Sequence, residues 1–403
     1  MTDCFNRNLI SRSGFTNRPP VVSLDQSRSI MSFPSRVELS PAVDFHVHLR
    51  DGAMMKTVVP TIKEGGVDTV YVMPNLVPPI TTVSAALEYK KRLQELDPSV
   101  NYLMTLYLEP SITPYEIEQA AKAGIYGLKA YPAGVTTNSD AGVVDYEIFY
   151  PIFAAMEKHD LVLNLHGEVP STSPKDFSCD SSKHGEAITV LNAEPRFLPT
   201  LLKIHKDFPN LRIVLEHCTT ADAVEAVNAC GPNVAGTITA HHLWITIDEV
   251  AGDAFNFCKP IAKTPRDRLA LLKAVVQGGK TGKFFFGSDS APHPVSSKTG
   301  IKKAAAGCFT QGWCAQLVVG AVEEAVAQGW LTKEEATPEA IDEFLSQRGR
   351  AFYKLGDHSS STARIVLEKE NAQVVPDIIK GEEGIEVVPF RRGQNVWNLT
   401  WKA

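Results

Sequence analysis

Residues 43–49 read Val-Asp-Phe-His-Val-His-Leu, a short apolar and β-branched run that carries two histidines two positions apart. Seven further runs of this kind follow, mostly separated by segments with helical periodicity. The eight predicted strands are residues 43–49, 69–73, 102–108, 127–131, 161–166, 213–217, 234–239 and 283–287. Predicted helices lie at 83–96, 114–123, 146–159, 198–207, 221–229 and 266–277, and another follows the last strand at 312–328.

This alternation of strand and helix predicts a parallel sheet with right-handed crossovers. Eight such units favour the α/β class and a closed (β/α)8 barrel of the TIM type. The alternative, an open doubly wound sheet, usually carries a glycine-rich phosphate loop after its first strand, whereas residues 50–53 here read Arg-Asp-Gly-Ala. We predict an N-terminal tail at 1–40, the barrel at 41–360, and a C-terminal β extension packed on the barrel at 361–403, with strands at 365–367 and 396–401.

Composition excludes several classes of protein. The chain has 403 residues, of which 44% are hydrophobic, so it has enough apolar material for a large core. Its longest apolar runs are too short to cross a bilayer. A net charge of −6 without blocks of like charge argues against a nucleic-acid partner. The polar stretch at 171–183 has no regular periodicity and is interpreted as an excursion from the barrel.

Seven scattered cysteines without a CxxC pair fit a reducing, cytoplasmic compartment. Residues 1–36 hold five arginines, many serines and two aspartates. That composition would suit a mitochondrial transit peptide, but we favour a disordered tail, with Met31 as an alternative start.

Candidate ligand residues occur at the carboxyl ends of several predicted strands, where barrel enzymes place their chemistry. These residues are His46 and His48 on the first strand, Asn75 after the second, Lys129 on the fourth, His166 on the fifth, His217 on the sixth and Asp289 after the eighth. Positions i and i+2 of a strand share a face, so both imidazoles and Arg50 point the same way. A lone histidine after a strand is usually structural, but the joint pattern predicts a metal centre. Zinc suits these ligands best, while manganese, cobalt and iron stay open.

Lys129 is unusual among them, because an ammonium beside divalent cations would be repelled and desolvated. One interpretation is a salt bridge to Asp289 or an amine that reaches the surface. The sharper one is that the neutral amine has reacted with CO2, which makes an anionic oxygen ligand able to bridge two metals. Cys218 and Cys258 are interpreted as packed small residues, and His241 with His242 as structural, because the ligand set is already complete.

Six segments carry a resemblance to a known family. They are DFHVHLRDG (44–52), MPNL (73–76), KAYPAGVTTN (129–138), LHGE (165–168), LEHCT (215–219) and GSDSAPH (287–293). With them, the chain resembles the amidohydrolase superfamily and, within it, the single-function dihydroorotases. The resemblance implies a zinc-dependent cyclic amide hydrolase that cyclises N-carbamoyl-L-aspartate to L-dihydroorotate with loss of water. That reversible reaction is the third step of de novo pyrimidine (UMP) biosynthesis.

The resemblance also implies a role for each metal-site residue. Two zinc ions per chain are expected: His46, His48 and Asp289 would hold one, and His166 with His217 the other. N6-carboxylated Lys129 would bridge them. Asp289 would be catalytic as well, because it would accept the proton of the attacking hydroxide and pass it to the leaving nitrogen.

Substrate-binding residues are implied in the same way. Arg50, Asn75 and His293 would grip the substrate carboxylate, with His166 also in contact. Lys259 and Ala306 would offer backbone contacts. Thr136 and Thr137 would touch the substrate from a closing loop. The small-molecule substrate and a second copy of the chain in a homodimer are the expected partners, with no nucleic acid or membrane.

Two alternatives remain. The first is another cyclic amidase of the superfamily, such as a dihydropyrimidinase, hydantoinase or allantoinase, which need not bind a carboxylate. Arg50 with His293 favours an anionic substrate over these. The second is a catalytically inactive barrel used as a scaffold, against which the complete ligand set argues.

Overall fold

The computed structural model describes residues 33–135, 139, 142–173, 187–299, 303–356 and 362–402. Its main sheet has eight parallel strands in sequence order, each hydrogen-bonded to the next. They are β2 (Ala42–Val47), β3 (Val67–Val72), β4 (Asn101–Tyr107), β5 (Gly127–Ala130), β6 (Val162–His166), β7 (Ile213–Glu216), β8 (Val234–Ile238) and β9 (Phe284–Phe286). All eight predicted strands are present, with bounds that differ by at most two residues.

The sheet closes between its first and last strands. The N–H of Asp289 donates to the carbonyl of His46 at 2.8 Å, and the N–H of His48 donates to the carbonyl of Ser290 at 3.0 Å. Val47 and Ser290 form a parallel bridge there. The predicted (β/α)8 barrel is therefore confirmed, and the first strand lies beside the segment that carries Asp289.

Helices fill the connections between these strands. They are α1 (Gly52–Val58), α2 (Val83–Leu96), α3 (Pro114–Lys122), α4 (Tyr150–His159), α5 (Ala193–Asp207), α6 (Ala221–Ala229), α7 (Ile247–Gly252) and α8 (Pro265–Val276). After β9 follow α9 (Val295–Thr299), α10 (Cys314–Ala327), α11 (Pro338–Asp342), a π-helical turn at Glu343–Gln347 and α12 (Arg348–Tyr353). Helix α5 begins five residues before its predicted start. Pro199, a residue type common in the first turn of a helix, lies inside this helix instead.

Threonine side chains set where four of the outer helices begin. The Oγ1 atoms of Thr82, Thr113, Thr220 and Thr264 accept hydrogen bonds from backbone N–H groups three residues later, at 3.0 to 3.4 Å. Each bond satisfies one of the donors that a helix start leaves free. These caps fix the point at which the chain turns from the barrel mouth into a helix.

The barrel interior is filled by side chains and closed at one end by α12. Tyr353 of that helix stacks on Phe45, with ring centroids 4.8 Å apart. Its hydroxyl accepts a hydrogen bond from Asn164 Nδ2 at 2.6 Å, and Asn164 Oδ1 accepts one from the hydroxyl of Tyr71 at 2.9 Å. This buried polar network leads directly to Glu216 beside the candidate site, because Asn164 Nδ2 also donates to Glu216 Oε1 at 2.6 Å.

A second, antiparallel sheet lies beside the barrel. It contains β1 (Arg36–Leu39), β10 (Arg364–Val374) and β13 (Asn395–Lys402), in the order β1-β10-β13, and β11 (Ile379–Lys380) pairs with β12 (Glu386–Val387). Strand β13 contacts the barrel helices, since Trp397 Nε1 donates to Glu323 Oε2 of α10 at 2.8 Å. Strands were expected in this C-terminal region.

Strand β1 differs from the expected tail at residues 1–40. Val37 and Leu39 are buried while Arg36 and Glu38 face outward, and all four residues pair with β10. The alternating burial of two apolar side chains explains why these residues are ordered. Residues 1–32 and most of the expected excursion at 171–183 lie outside the described residues. In the described part of the chain, no helix is long and apolar enough to span a membrane.

Candidate metal centre and active site

Three of the predicted ligands meet where the barrel closes. His46 and His48 come from the end of β2, and Asp289 follows β9. Asp289 Oδ1 lies 3.1 Å from His48 Nε2 and 3.5 Å from His46 Nε2. All three residues are buried, and one potential ligand atom from each lies within 4.8 Å of the others. His46 and His48 are two positions apart on the strand, and both imidazoles contact the same carboxylate.

The remaining predicted ligands border the same space. The ring centroids of His166 and His217 are 4.7 Å apart, and those of His46 and His217 are 5.0 Å apart. Lys129 on β5 is fully buried, and its Nζ lies 4.2 Å from the ring centroid of Tyr131. Burial lowers the pKa of Lys129 to about 7, against the opposing charges of Glu216 and Asp289. Its amine is therefore partly neutral at physiological pH.

The protonation states of this cluster suit a cation. Burial lowers the pKa of His48 to about 4 and that of His217 far below its usual value, so both rings are neutral. Burial would raise the pKa of Asp289, but the hydrogen bond from His48 and the charges of His46 and His48 hold it below its usual value. His217 Nδ1 is buried and has no partner among the described residues. Neutral imidazoles, an ionised carboxylate and an unpaired ring nitrogen are the donors that zinc and similar metals bind.

Polar side chains contact one ring nitrogen in each of three imidazoles. His166 Nε2 and Glu168 Oε2 form a hydrogen bond at 2.9 Å, and His46 Nδ1 lies 2.9 Å from Glu216 Oε2 in a contact without hydrogen-bond geometry. His48 Nδ1 lies 2.8 Å from Asn75 Oδ1. Partners of this kind fix the tautomer of a metal-binding histidine. They leave His46 Nε2, His48 Nε2 and His166 Nδ1 as the nitrogens that can bind a cation, and in this structure His48 Nε2 contacts Asp289 Oδ1 at 3.1 Å.

Sequence reasoning assigned no role to three buried acids of this region. Glu216 directly precedes His217, and Glu168 follows His166 by two residues, so a carboxylate beside a strand-end histidine was the available signal. Asp44 accepts hydrogen bonds from the N–H groups of Ser288 and His46, at 2.7 and 3.1 Å. It ties the end of β2 to the segment after β9. Burial raises the pKa of Asp44 to about 6.

Arg50 and His293 form a second polar group at the same end of the barrel. Arg50 Nε donates to the carbonyl of Pro292 at 3.0 Å, and its Nη2 lies 3.1 Å from His293 Nε2. His293 Nε2 also lies 2.9 Å from the carbonyl oxygen of Ala306. Burial lowers the pKa of Arg50 to about 10, which leaves it charged at neutral pH. Burial and the charge of Arg50 lower the pKa of His293 to about 3, so that ring is neutral.

The predicted loop contacts are only partly described. Thr136 and Thr137 lie outside the described residues. Lys259 is described, and its Nζ donates to the carbonyl of Val135 at 2.6 Å. Its side chain therefore contacts the segment that leads into the predicted closing loop.

Comparison with known proteins identifies the family of this chain. A family model described as amidohydrolase matches residues 103–331, more than half of the chain. The barrel with histidines, a lysine and an aspartate at its strand ends thus defines a hydrolase of the amidohydrolase class, whose dihydroorotases are metal-dependent.

Individual relatives narrow the class. A probable dihydroorotase of Schizosaccharomyces pombe is 49% identical over 361 residues, which cover 89% of this chain and 97% of that one. A dihydroorotase of Saccharomyces cerevisiae is 45% identical over 380 residues, covering 91% and 98%. The crystal structure of dihydroorotase from Saccharomyces cerevisiae in complex with 5-fluoroorotic acid superposes with a TM-score of 0.81 at 44% identity, covering 92% and 99%. The chain belongs to the dihydroorotase family, which confirms the resemblance and the predicted enzyme function.

Proposed function

We propose that this chain interconverts N-carbamoyl-L-aspartate and L-dihydroorotate at a centre of two zinc ions bridged by N6-carboxylated Lys129. The observation that carries the proposal is the convergence of His46, His48 and Asp289, whose ligand atoms lie within 4.8 Å of one another. The paired rings of His166 and His217 and the buried amine of Lys129 border the same space. This step belongs to de novo pyrimidine biosynthesis.

The residues divide between two metals. His46, His48 and Asp289 would hold one, and His166 with the unpaired nitrogen of His217 would hold the other. Bound metals supply Lewis acidity, which polarises an amide carbonyl and lowers the pKa of water.

The carbamate on Lys129 is supported by the state of its amine. A neutral amine attacks the carbon of CO2 through its nitrogen and then loses one proton, which gives an anionic carbamate. The pKa of about 7 makes the reactive neutral form available near neutral pH. The negative charge of the carbamate in this buried position would be offset by cations bound at the neighbouring ligands.

Asp289 moves the proton of the reaction. During hydrolysis, the oxygen of water forms a bond to the ring carbonyl carbon and the bond from that carbon to the ring nitrogen breaks. Asp289 takes a proton from the attacking water and delivers it to the departing nitrogen. In the direction of cyclisation it removes the proton of the ureido nitrogen. Its pKa below the usual value keeps it ionised at neutral pH, so it carries no proton before this step.

Arg50 and the neighbouring polar groups hold the substrate carboxylate. A guanidinium offers a planar fork of donors that fits a carboxylate with two parallel hydrogen bonds. The contacts of Arg50 with Pro292 and His293 fix the plane of that fork. We assign Asn75, His166 and His293 to the same substrate pocket. Lys259, Ala306, Thr136 and Thr137 are assigned to its rim.

Location and assembly are extensions of the same proposal. From the family we expect a cytoplasmic enzyme that forms a homodimer. The proposed domain boundaries are at about residues 40 and 360 and separate the N-terminal tail, the barrel and the C-terminal β extension. Size-exclusion chromatography with light scattering tests the homodimer, and a monomeric mass would contradict it.

Turnover of L-dihydroorotate is the direct test, with uncharged dihydrouracil as the competing substrate. We expect turnover of L-dihydroorotate and little of dihydrouracil, because only the former gives Arg50 a carboxylate. Elemental analysis of the same zinc-loaded sample should find at least two metal equivalents per chain. Equal turnover of both compounds would favour another cyclic amidase. Metal-free, inactive protein would favour a scaffold.

A further inference from the structure

A second cluster of metal-binding side chains lies close to the catalytic site but outside it. It consists of His241 and His242, in the turn after β8, and Cys258, in the loop before α8. All three are buried, and one potential ligand atom from each lies within 4.8 Å of the others. No step of the proposed reaction uses them, and sequence reasoning left them out of the ligand set.

His241 is the unexplained member of this cluster. Its side chain is fully buried, and neither ring nitrogen has a partner with hydrogen-bond geometry among the described residues, although the Cys258 thiol is close enough to interact with this ring. A buried polar atom without a partner is unfavourable, so such atoms are rare in folded proteins. Asp289 is near enough to be influenced by the charge of this imidazole. A cation bound to the ring nitrogen that carries the lone pair would give that nitrogen its partner.

The donors near His241 already have the spacing of a metal site. Cys258 Sγ lies 3.5 Å from His242 Nε2 and 3.2 Å from the carbonyl oxygen of Pro260, and His242 Nε2 lies 3.1 Å from that oxygen. Around a tetrahedral zinc ion with Zn–S of about 2.3 Å and Zn–N of about 2.0 Å, neighbouring donors are about 3.5 Å apart. In the metal-free state, the thiol and the imidazole N–H both donate to Pro260 instead.

Thr239 allows His242 to change from donor to ligand. His242 Nδ1 lies 2.8 Å from the hydroxyl oxygen of Thr239. A hydroxyl both donates and accepts. It can therefore donate to Nδ1 when Nε2 carries the proton, and accept from Nδ1 when Nε2 holds a metal.

We propose that His241, His242 and Cys258 form an additional site for a divalent cation of the zinc type. On binding, the Cys258 thiol loses its proton to solvent and the resulting thiolate coordinates the cation. The His242 proton moves from Nε2 to Nδ1 and stays on the ring, so one proton is released per cation. The Pro260 carbonyl oxygen, freed of both donors, completes four ligands. Mixed imidazole and thiolate donors favour zinc over magnesium or calcium.

The cation would fix a segment of the substrate pocket. Cys258 and Pro260 flank Lys259, which contacts Val135 and is assigned to the pocket rim. This consequence rests on the proposed function, whereas the metal site itself does not. We expect it to act on the order of that loop rather than on the chemistry.

Cobalt substitution tests the site separately from the catalytic centre. The proposed catalytic ligands include no thiolate, so a thiolate-to-cobalt charge-transfer band in the near ultraviolet reports only the additional site. Reduced, full-length protein loaded with Co²⁺ should show the band. It should disappear in Cys258→Ser and weaken in His241→Gln. Elemental analysis of the zinc-loaded forms should find one equivalent less in Cys258→Ser than in wild type.

Matched variants separate the possible outcomes. Cys314 is also buried, and its Sγ lies 3.7 Å from the carbonyl oxygen of Thr310, so Cys314→Ser should keep the band and the full metal content. Lys129→Ala should disrupt the catalytic centre and keep the band. Wild type without the band, or with the same zinc content as Cys258→Ser, would overturn the proposal. A disulfide between Cys258 and its neighbour Cys308 in fully metallated protein would overturn it as well.

Discussion

Replacement of Glu216 by glutamine tests how the buried carboxylates hold metal-binding histidines in one tautomer. Glu216 Oε1 accepts a hydrogen bond from Asn164 Nδ2 at 2.6 Å. Its Oε2 accepts one from Thr237 Oγ1 at 2.6 Å and lies 2.9 Å from His46 Nδ1. A carboxylate offers only acceptors. A negatively charged oxygen 2.9 Å away repels a lone pair on Nδ1, so His46 keeps its proton on Nδ1 and presents the lone pair of Nε2 to the centre, although this contact lacks hydrogen-bond geometry.

A glutamine at this position offers one acceptor oxygen and one NH2 group. Asn164 Oδ1 already accepts a hydrogen bond from Tyr71, so Asn164 Nδ2 stays a donor and the new amide oxygen must face it. The NH2 group then faces Thr237, whose hydroxyl can rotate, and His46, whose Nδ1 must lose its proton. That proton moves to Nε2 and blocks the nitrogen that would bind the cation.

The loss can be estimated from similar contacts. Removing the partner of a metal-binding histidine costs about 10–100-fold in metal affinity, or about 1.4–2.7 kcal/mol. If His46 keeps its proton on Nδ1 instead, this buried N–H faces an NH2 group where a carboxylate stood, and the free energy of unfolding falls by about 1–3 kcal/mol. The variant therefore loses either zinc affinity or stability.

Zinc affinity is measured by competition with a chelator, and stability by urea unfolding of the metal-free protein. Glu116→Gln is the control, since Glu116 Oε1 accepts from the N–H of Val83 at 2.8 Å at the start of α2, away from the site. Glu116→Gln should leave zinc affinity unchanged. Wild-type zinc affinity together with wild-type stability in Glu216→Gln would refute the tautomer argument.

Four further variants test the site. Asp289→Asn should lower turnover of L-dihydroorotate by about 10²–10⁴-fold while elemental analysis still finds bound metal; full turnover would remove its role in proton transfer. Lys129→Ala should be inactive and regain part of its activity with acetate or propionate, and activity without such additives would exclude the carbamate bridge. Arg50→Lys should raise KM by about 10–100-fold, because a charged hydrogen bond contributes about 1.5–3 kcal/mol; an unchanged KM would place the substrate carboxylate elsewhere. The pKa of His293 is lowered to about 3 in the folded protein, so below about pH 6.5 only the unfolded chain binds the extra proton. The contribution of His293 to the free energy of unfolding is therefore complete above that pH and is lost as the pH falls towards 3, by about 1.4 kcal/mol per pH unit. His293→Gln should flatten the dependence of unfolding free energy on pH in this range, and a slope equal to that of wild type would contradict the assignment.

Strand ends were the part of the site that the sequence could predict. A parallel barrel brings the carboxyl ends of all its strands to one rim, so residues as distant as His48 and Asp289 meet once the strand count is right. The period of two along β2 then decides that His46 and His48 share a face. These inferences need only the pattern of apolar runs and the residue that follows each run.

The contacts that buried acids make with the predicted ligand histidines could not be predicted in this way. Glu168 and Glu216 act through hydrogen bonds whose partners depend on side-chain rotation, and a strand-end acid is equally compatible with an exposed position. Likewise, the sequence around His241 does not show that both of its ring nitrogens lack a hydrogen-bond partner. That property depends on the packing of the turn after β8 against the loop that holds Cys258.

Three of the predicted site residues have a strained backbone conformation, which the sequence pattern also could not predict. Arg50, His217 and Asp289 adopt positive φ angles of 58°, 42° and 44°. This left-handed region costs a residue other than glycine about 1–3 kcal/mol and persists only when the surrounding structure enforces it. In each case the residue directly follows a strand or lies a few positions beyond it, where the chain must turn sharply towards the next helix. Glycine would relieve the strain but would supply no imidazole, guanidinium or carboxylate. The strain at these positions therefore follows from requiring functional side chains at the turns themselves, and it explains why the barrel surrounds them with fixed contacts such as the Asp289 N–H bond to His46.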